Sequence, residues 1–179
     1  GSEFQGWRLV ERLKSGAFGD VFAAQHRFTK QLVAMKVVRP VPDHMASERA
    51  ARFDLEVNLH RKVRHPNVLE FYGADMLPDG TAVLLTELLD GLDLARALRR
   101  LGPLSPGDAL FVTVEVLRAL AAMHVRAIHR DITPSNVFGC CSVRVDAEDN
   151  IERGRVRVLD FGLAKVDGRP GPTREGDTP

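Results

Sequence analysis

The sequence is short of cysteine, of net charge and of long apolar runs, and each shortage excludes a class of protein. Its two cysteines, Cys140 and Cys141, are adjacent, which excludes a disulfide framework, fits a reducing cytosol and makes a poor zinc site. The 25 basic and 24 acidic residues leave a net charge of +1, so no overall field favours nucleic acid or a membrane surface. No run of eighteen apolar residues occurs, so no segment is expected to cross a bilayer.

What remains is an ordinary globular composition. The chain has 179 residues, of which 44% are hydrophobic and 27% are charged, enough for one modest domain or a two-lobed one. The first four residues, GSEF, do not begin with Met, and we leave them out of the fold prediction.

The first half of the chain is predicted to form an antiparallel sheet. Alternating β-branched and aromatic residues predict strands near 7–13, 20–26, 32–38, 68–73 and 81–87. Gly16 and Gly19 form a flexible turn between the first two strands. One helix is predicted at 47–63, where Ser47 is the candidate N-cap.

The second half is predicted to be mainly helical. Residues 92–100 predict a short helix, and residues 105–125 predict a long one with apolar residues at helical spacing. Ser105 is the expected N-cap of the long helix, and Pro106 suits its first turn. The change of character near 88–92 therefore predicts an α+β chain in two parts.

Two segments of the first half carry residues suited to binding a phosphate. Glycines in LKSGAFGDV, residues 13–21, let backbone N–H groups approach a phosphate without a Cβ clash, although an ordinary hairpin turn has the same pattern. Lys36 is flanked by apolar strand residues, so its ammonium needs a partner. Glu56 is placed on the helix to supply one, although an isolated lysine of this kind is more often a surface residue.

Two segments of the second half carry carboxylates. In IHRDITPSN, residues 128–136, Asp131 can accept a hydroxyl proton and Asn136 offers a carbonyl oxygen to a hard cation such as Mg²⁺. In VLDFG, residues 158–162, Asp160 ends an apolar strand just before a glycine, which suits a carboxylate that binds a metal.

Together these segments resemble the protein kinase signature set: a glycine-rich turn, a strand lysine, a helix glutamate, HRD-x-x-x-x-N and DFG, in this order. The resemblance runs from about Trp7 to Pro179 and is similar in style to bacterial eukaryotic-like Ser/Thr kinases. It implies a two-lobed α+β fold, with an N-lobe at 5–89 and a partial C-lobe at 90–179. The nucleotide-binding residues it implies are Leu13, Gly16, Ala17, Phe18, Gly19, Val21, Ala34, Lys36, Thr86, Glu87, Leu89 and Asp93.

The resemblance also implies transfer of the γ-phosphate of Mg-ATP to a protein hydroxyl in the cytoplasm. Lys36, held by Glu56, would bind the α- and β-phosphates. Asn136 and Asp160 would bind Mg²⁺, and Asp131 would orient the substrate hydroxyl and take its proton.

Finer roles follow from the same resemblance. Thr86 takes the gatekeeper position, Glu87 and Leu89 give backbone contacts to adenine, and Asp93 is a candidate ribose partner. Arg130 is expected to meet a phosphorylated residue of the activation segment. The candidate phosphorylation site is Thr173, and Thr178 is the candidate brace of the catalytic aspartate.

Three positions depart from the family pattern. Lys14 replaces the first glycine of the turn, as a charge toward the nucleotide or as a solvated lysine. Thr133 replaces a lysine that reaches the γ-phosphate in many Ser/Thr kinases, at an expected cost of about ten- to a hundredfold in rate. His60 takes a hydrophobic spine position and needs a polar partner there, unless a one-residue slip places Leu59 inward.

The segment between Asn136 and Asp160 is longer than the family usually has. It predicts a lengthened β-hairpin with strands near 142–146 and 154–159. The acidic tip at 146–150 is a candidate docking feature, with a solvated loop as the alternative.

The end of the chain departs most from the family. Family members continue past the terminal GDTP into further helices, so we expect a piece of a longer catalytic domain. Apolar residues of the helix at 105–125 would then lose cover, which predicts marginal stability or self-association.

Three functions stay open on the residues alone. The first is a Ser/Thr protein kinase acting on a protein substrate, and the second is a pseudokinase-like nucleotide-binding module. The third is a kinase that acts on a small molecule.

Overall fold

A computed structural model describes residues 3–4, 6–16, 19–40, 43–77, 79–125, 127–139, 144–145, 151–152, 156–159 and 165–166. It shows an antiparallel sheet with one helix, followed by two helices and several short strands. This is the α+β architecture that the sequence predicts. Within the described ranges, no helix is long and apolar enough to cross a membrane.

The sheet contains six strands in the order β1-β2-β3-β4-β6-β5, and each neighbouring pair is antiparallel. The strands are β1 Glu3–Phe4, β2 Trp7–Gly16, β3 Gly19–His26, β4 Leu32–Val38, β5 Phe71–Met76 and β6 Ala82–Glu87. All five predicted strands are present, and their ends differ from the prediction by at most three residues. β1 comes from the four residues left out of the prediction, and it pairs with Trp7 and Arg8.

Helix α1, Asp43–Lys62, begins four residues before its predicted start at Ser47. The prediction was wrong at this end because a serine inside a helix costs little, so Ser47 alone does not mark where the helix begins. The buried face of α1 forms a core cluster with the sheet, made of Phe53, Val57, Val38, Ala82 and Leu84.

The chain then forms α2, Leu94–Leu101, and α3, Pro106–His124, close to the predicted ranges. Ser105 caps α3 as predicted, because its Oγ accepts the Asp108 N–H at 3.1 Å. Asp93 caps α2 in the same way, with Oδ1 accepting the Arg96 N–H at 2.7 Å.

Short strands complete the helical part: β7 Leu92–Asp93, β8 Ala127–Ile128, β9 Val137–Gly139, β10 Arg144–Val145, β11 Ile151–Glu152, β12 Val156–Val158 and β13 Lys165–Val166. Strand β9 pairs with β7 and β12, and β8 pairs with β13. Strands β10 and β11 pair with each other in nearly the register of β9 and β12, which fits a lengthened hairpin. The predicted pairing was wrong in one respect, because β12 pairs with β9 and not with the strand near 142–146. The first arm of the hairpin begins at Val137, earlier than predicted, and the acidic tip at 146–150 lies outside the described residues.

The two parts share a core cluster and a set of hydrogen bonds. The cluster contains Leu59, Val63, Val68, Ala119, Met123 and Val158. Beside it, Asn67 Nδ2 donates to Glu115 Oε2 at 2.7 Å and to the Val156 carbonyl at 3.0 Å. The Val158 N–H donates to the Asn67 carbonyl at 2.8 Å. The end of the hairpin is therefore fixed to the segment that follows α1.

One side of α3 is apolar and exposed, as the sequence predicts. Leu110 is 66% exposed and Leu117 is 57% exposed, with Val114 between them. These positions follow the i, i+4, i+7 spacing of one helix face. We call them the α3 face.

Candidate active site

A cleft lies where the sheet meets the helical part, and we call it the central cleft. It brings together eight of the predicted nucleotide-binding residues: Leu13, Val21, Ala34, Lys36, Thr86, Glu87, Leu89 and Asp93. Strands β2, β3 and β4 supply the first four, and the end of β6 with the segment after it supplies the rest. Their meeting is observed, whereas their contact with a nucleotide stays a prediction.

The glycine-rich turn joins β2 and β3, with Gly16 opposite Gly19 in the ladder. The two glycines meet different constraints. A Cβ on Gly19 would lie 2.2 Å from the Val37 carbonyl oxygen, whereas a Cβ on Gly16 would meet an atom only at 3.5 Å. Close packing onto β4 thus requires glycine at 19. Ala17 and Phe18, at the tip, lie outside the described residues.

A hydrogen-bonded cluster of Ser15, Asp20 and Arg39, which we call the clasp, fixes the base of this turn. Ser15 Oγ donates to Asp20 Oδ1, and Arg39 Nη2 donates to Asp20 Oδ2 at 3.0 Å. These contacts favour the ionised carboxylate, so the Ser15 hydrogen bond and then Arg39 hold the pKa of Asp20 below its usual value.

Lys36 on β4 meets Glu56 on α1, as the sequence predicts. Lys36 Nζ lies 3.5 Å from Glu56 Oε1. Packing of α1 on the sheet sets this distance, because Val57, next to Glu56, lies in their shared core. The arrangement keeps an ammonium at the wall of the central cleft.

The segment Glu87–Leu89, which we call the hinge, links the sheet to the helical part. The Glu87 carboxylate accepts Arg157 Nε at 2.7 Å and Nη2 at 3.3 Å, and the Glu70 N–H donates to Glu87 Oε1 at 2.9 Å. The Glu87 N–H in turn donates to the Glu70 carbonyl. The hinge is therefore fixed from behind through the side chain of Glu87.

Asp93, the candidate ribose partner, uses its carboxylate in contacts with the start of α2. Its carboxylate caps α2 through Oδ1, and Oδ2 lies 3.3 Å from Arg96 Nε. Arg96 also lines the central cleft. It thus adds a cation at the cleft that the sequence reasoning missed.

The loop between β8 and β9 holds Asp131 against Asn136. Asn136 Nδ2 donates to Asp131 Oδ2 at 2.9 Å and to the Asp131 carbonyl at 3.0 Å. The 3₁₀ turn Pro134–Asn136 sets this geometry, and the Leu159 N–H donates to the Asn136 carbonyl at 2.8 Å. Within the described residues, Asp131 Oδ1 accepts no hydrogen bond.

His129 fixes the approach to this loop from a buried position. The Asp131 N–H donates to His129 Nδ1 at 3.3 Å, so the proton of the neutral ring lies on Nε2 and is donated to the Leu159 carbonyl at 2.9 Å. Between them, Arg130 adopts a φ of 64°, a left-handed conformation that a non-glycine residue adopts only at a cost.

Asn136 is suited to a hard cation. Its Nδ2 is used by Asp131, and Oδ1 accepts no hydrogen bond within the described residues, which leaves an oxygen ligand of the kind Mg²⁺ prefers. The second predicted ligand, Asp160, lies outside the described residues. Among those that are described, no cluster of three His, Cys, Asp or Glu side chains forms a metal site.

The three departures have distinct environments. Lys14 lines the central cleft, and Thr133 is exposed ahead of the 3₁₀ turn without capping it. His60 and Leu59 are both buried. Leu59 joins the shared core, and His60 stacks on Phe71 with ring centroids 5.3 Å apart, so no slip in the helix is needed.

Sequence reasoning missed several other cleft residues, namely Leu69, Leu84, Leu88, Ser135, Phe138 and Leu159. Two of them could have been found from their positions beside predicted site residues, because Phe138 follows Asn136 by two residues and Leu159 directly precedes Asp160. Thr173 and Thr178 lie outside the described residues.

The model of the protein kinase domain family matches residues 7–175. Serine/threonine-protein kinase pkn3 of Myxococcus xanthus is 32% identical over 176 residues, which cover 95% of this chain and 30% of the relative. Serine/threonine-protein kinase PknD of Mycobacterium tuberculosis is 28% identical over 177 residues, which cover 98% of this chain and 25% of the relative. The chain thus spans less than a third of the length of these curated relatives.

Solved structures give the same result for the fold. The crystal structure of the Mycobacterium tuberculosis PknI kinase domain matches with a TM-score of 0.72 and 29% identity. The match covers 92% of this chain and 63% of that one.

Proposed function

The chain belongs to the protein kinase family, and from this premise we propose that it carries the ATP-binding and catalytic residues of a Ser/Thr protein kinase. The observation that carries the proposal is that Lys36, paired with Glu56, lines the same cleft as the predicted adenine-binding residues. The curated relatives are Ser/Thr protein kinases. Since this chain spans part of their length, its activity, substrate and cytoplasmic location are parts of the proposal.

Different residues of the central cleft would contact the adenine ring and the phosphates of ATP. Val21 and Ala34 offer apolar contacts to the adenine ring, and the Glu87 carbonyl and Leu89 offer hydrogen bonds to its edge. Lys36, kept in place by Glu56, supplies a positive charge for the α- and β-phosphates. Arg157 and Glu70 hold Glu87 from behind, so the hinge is preorganised.

Residues of the loop between β8 and β9 have different roles in transfer of the γ-phosphate. Asp131 Oδ1 orients the substrate hydroxyl and takes its proton while the hydroxyl oxygen bonds to the γ-phosphorus and ADP leaves. Asn136 holds Asp131 Oδ2, so Oδ1 of the same carboxylate keeps one orientation. His129 and Leu159 fix the loop to the end of the hairpin.

Asn136 Oδ1 and the carboxylate of Asp160 would hold Mg²⁺. The ion would supply positive charge that neutralises the phosphate oxygens of ATP. Asn136 is oriented for this role by its own hydrogen bonds to Asp131.

Binding and transfer assays test the proposal. Calorimetry measures Mg-ADP affinity, and labelled ATP measures transfer to the chain itself and to Ser/Thr peptides. Asp131→Asn should lower transfer about 10²- to 10⁴-fold and leave ADP affinity unchanged, with Asp54→Asn on α1 as the control. Transfer that survives Asp131→Asn, or absence of ADP binding, would contradict the proposal.

Thr133 supports a second candidate, a pseudokinase-like nucleotide-binding module, because it removes a charge from the γ-phosphate region. ADP binding with no transfer in the wild-type chain would favour this module. Transfer to a sugar or aminoglycoside and to no peptide would favour a small-molecule kinase instead.

The α3 face supports one proposed partner, a second copy of the chain. Its exposed leucines present a surface that soluble chains usually cover.

A further inference from the structure

A second cavity, of roughly 640 Å³, lies beside the central cleft. Its walls come from the end of α1, the connection to β5 and the start of β5, with Arg157 of β12 added. His60 and Leu69 line both spaces. The cavity therefore touches the back of the site without being part of it.

Cations dominate the lining of the second cavity. Arg61, Arg64 and Arg157 contribute guanidinium groups, and Glu70 contributes the one carboxylate among the described lining residues. Arg61 and Arg64 are exposed, and neither makes an ion pair or hydrogen bond with another described residue. The rim thus carries two positive charges that the described part of the chain does not neutralise.

Arg157 adds a buried donor without an acceptor. Its side chain is 9% exposed, and Nε and Nη2 donate to Glu87. Nη1 is buried and has no hydrogen-bond partner in the described structure. A guanidinium has five N–H donors, and buried donors are nearly always satisfied in native proteins. The unused edge of Arg157 therefore indicates an acceptor that these residues do not supply.

We propose that the second cavity binds a ligand with a single phosphate or carboxylate group on an apolar body. The anion pairs with Arg157 Nη1, and Arg61 and Arg64 at the rim contribute further charge, since arginines suit such groups. Val63, Val68 and Phe71 give the body apolar surface. Glu70 disfavours ligands with several negative charges.

The site is coupled to the hinge through Arg157. An anion on Nη1 would share the single positive charge of Arg157 with the Glu87 carboxylate and repel that carboxylate, and Glu87 begins the hinge. Loosening Glu87 should weaken nucleotide binding, and bound nucleotide should weaken anion binding by the same factor. This coupling rests on the proposed nucleotide site, whereas anion binding itself does not.

Calorimetry with phenyl phosphate tests the site in the absence of nucleotide, with benzoate as the carboxylate probe and phenol as the uncharged control. Arg61→Gln/Arg64→Gln should weaken phenyl phosphate binding about tenfold, since two charge-assisted contacts are lost. The same pair of changes at exposed Arg99 and Arg100 of α2 should leave it unchanged. Equal binding of phenol and phenyl phosphate, or equal loss in both double variants, would overturn the proposal.

Arg157→Lys tests the buried donor separately. It keeps one positive charge near Glu87 but removes the guanidinium edge, so binding should fall at least about tenfold. A circular dichroism melt checks its fold, and the Arg61/Arg64 variant decides the matter if Arg157→Lys does not fold. Unchanged binding in a folded Arg157→Lys would overturn the assignment of Nη1.

ADP titrations with and without saturating phenyl phosphate separate this proposal from the proposed function. Phenyl phosphate binding with the expected variant pattern, but no ADP binding, would keep the anion site and reject the nucleotide site. ADP binding without phenyl phosphate binding would do the reverse. Binding of both with independent affinities would overturn the coupling.

Discussion

The two halves of the molecule cover their apolar residues in different ways. The sheet half, β1 to β6 with α1, contains two core clusters of its own, around Met35 and around Leu84. The helical half, from β7 onward, shares its cluster with the sheet half, and α2 has no buried residue. The difference teaches that the sheet that lines the central cleft has core clusters of its own, whereas the loop of Asp131 depends on a core that the other half completes.

Truncating a residue of the core cluster that the two halves share should give the largest loss of stability. Met123→Ala, at a position 1% exposed, should cost about 2–5 kcal/mol of unfolding free energy, because it removes contacts to both halves. Urea unfolding should shift equally by helix circular dichroism and by the fluorescence of Trp7, which lies in the sheet. Met76→Ala, at an exposed position, is the control. A shift in the helix signal alone would show that the halves unfold separately.

Breaking the ion pair between Glu87 and Arg157 should give the next largest loss of stability. Glu87→Gln leaves the Arg157 guanidinium buried opposite a neutral group, at a cost of about 3 kcal/mol in stability. Replacing both residues, as Glu87→Gln/Arg157→Met, should recover most of that loss in urea unfolding. Glu11→Gln, at an exposed position of β2, is the control. If Glu87→Gln is as mild as this control, the pair does not join the halves energetically.

The α3 face tests whether the helical half associates in solution. Leu110→Gln/Leu117→Gln should raise the dissociation constant of a dimer about tenfold or more, because each exposed leucine would be buried on association. Sedimentation over a range of concentrations measures this effect. Val10→Gln, at an exposed apolar position of the sheet half, should change nothing. A wild-type chain that stays monomeric at every concentration would remove the proposed partner.

A lysine at 133 tests whether the helical half limits the rate. Thr133→Lys restores a positive charge near the proposed γ-phosphate position and should raise transfer about tenfold. Thr113→Lys, on the exposed side of α3, is the control. Equal rates in all three proteins would show that the charge at 133 does not matter.

The smallest expected effect is the pH dependence of the stability that Asp20 contributes in the clasp of the sheet half. The pKa of Asp20 is lowered, so its stabilising contribution is present above the usual carboxyl pKa and is lost as the pH falls through the lowered value. The melting temperature of wild type should exceed that of Asp20→Asn at neutral pH, and the difference should vanish in strong acid. A difference that persists there would exclude the carboxylate as its cause.

Local signals in the sequence predicted most elements, because strand alternation and helix caps depend on neighbouring residues. Ser105 illustrates this success, whereas Ser47 misled the start of α1 because a serine inside a helix looks like a cap. The Lys36–Glu56 contact was also predictable, since both residues sit in clear elements of a familiar order.

Contacts between distant segments were beyond sequence reasoning. Glu87 and Arg157 are 70 residues apart, and neither side chain carries a local signal of the other. Arg96 was missed for a related reason, because only the packing of α2 against the cleft shows which side it faces. The predicted roles of Asp160, Ala17 and Phe18 stay predictions.

The Asn67 hydrogen bonds have a consequence for the order of events during synthesis. Their partner Val156 lies 89 residues further along the chain, so the sheet half is complete long before it. At about 5–20 residues per second, the ribosome needs roughly 4–14 s to pass from the end of β6 to β12. During that interval Leu59, Val63 and Val68 first lack α3 and then still lack Val158, so their cluster stays incomplete. The nascent chain should therefore be most prone to aggregation and to chaperone capture in this window.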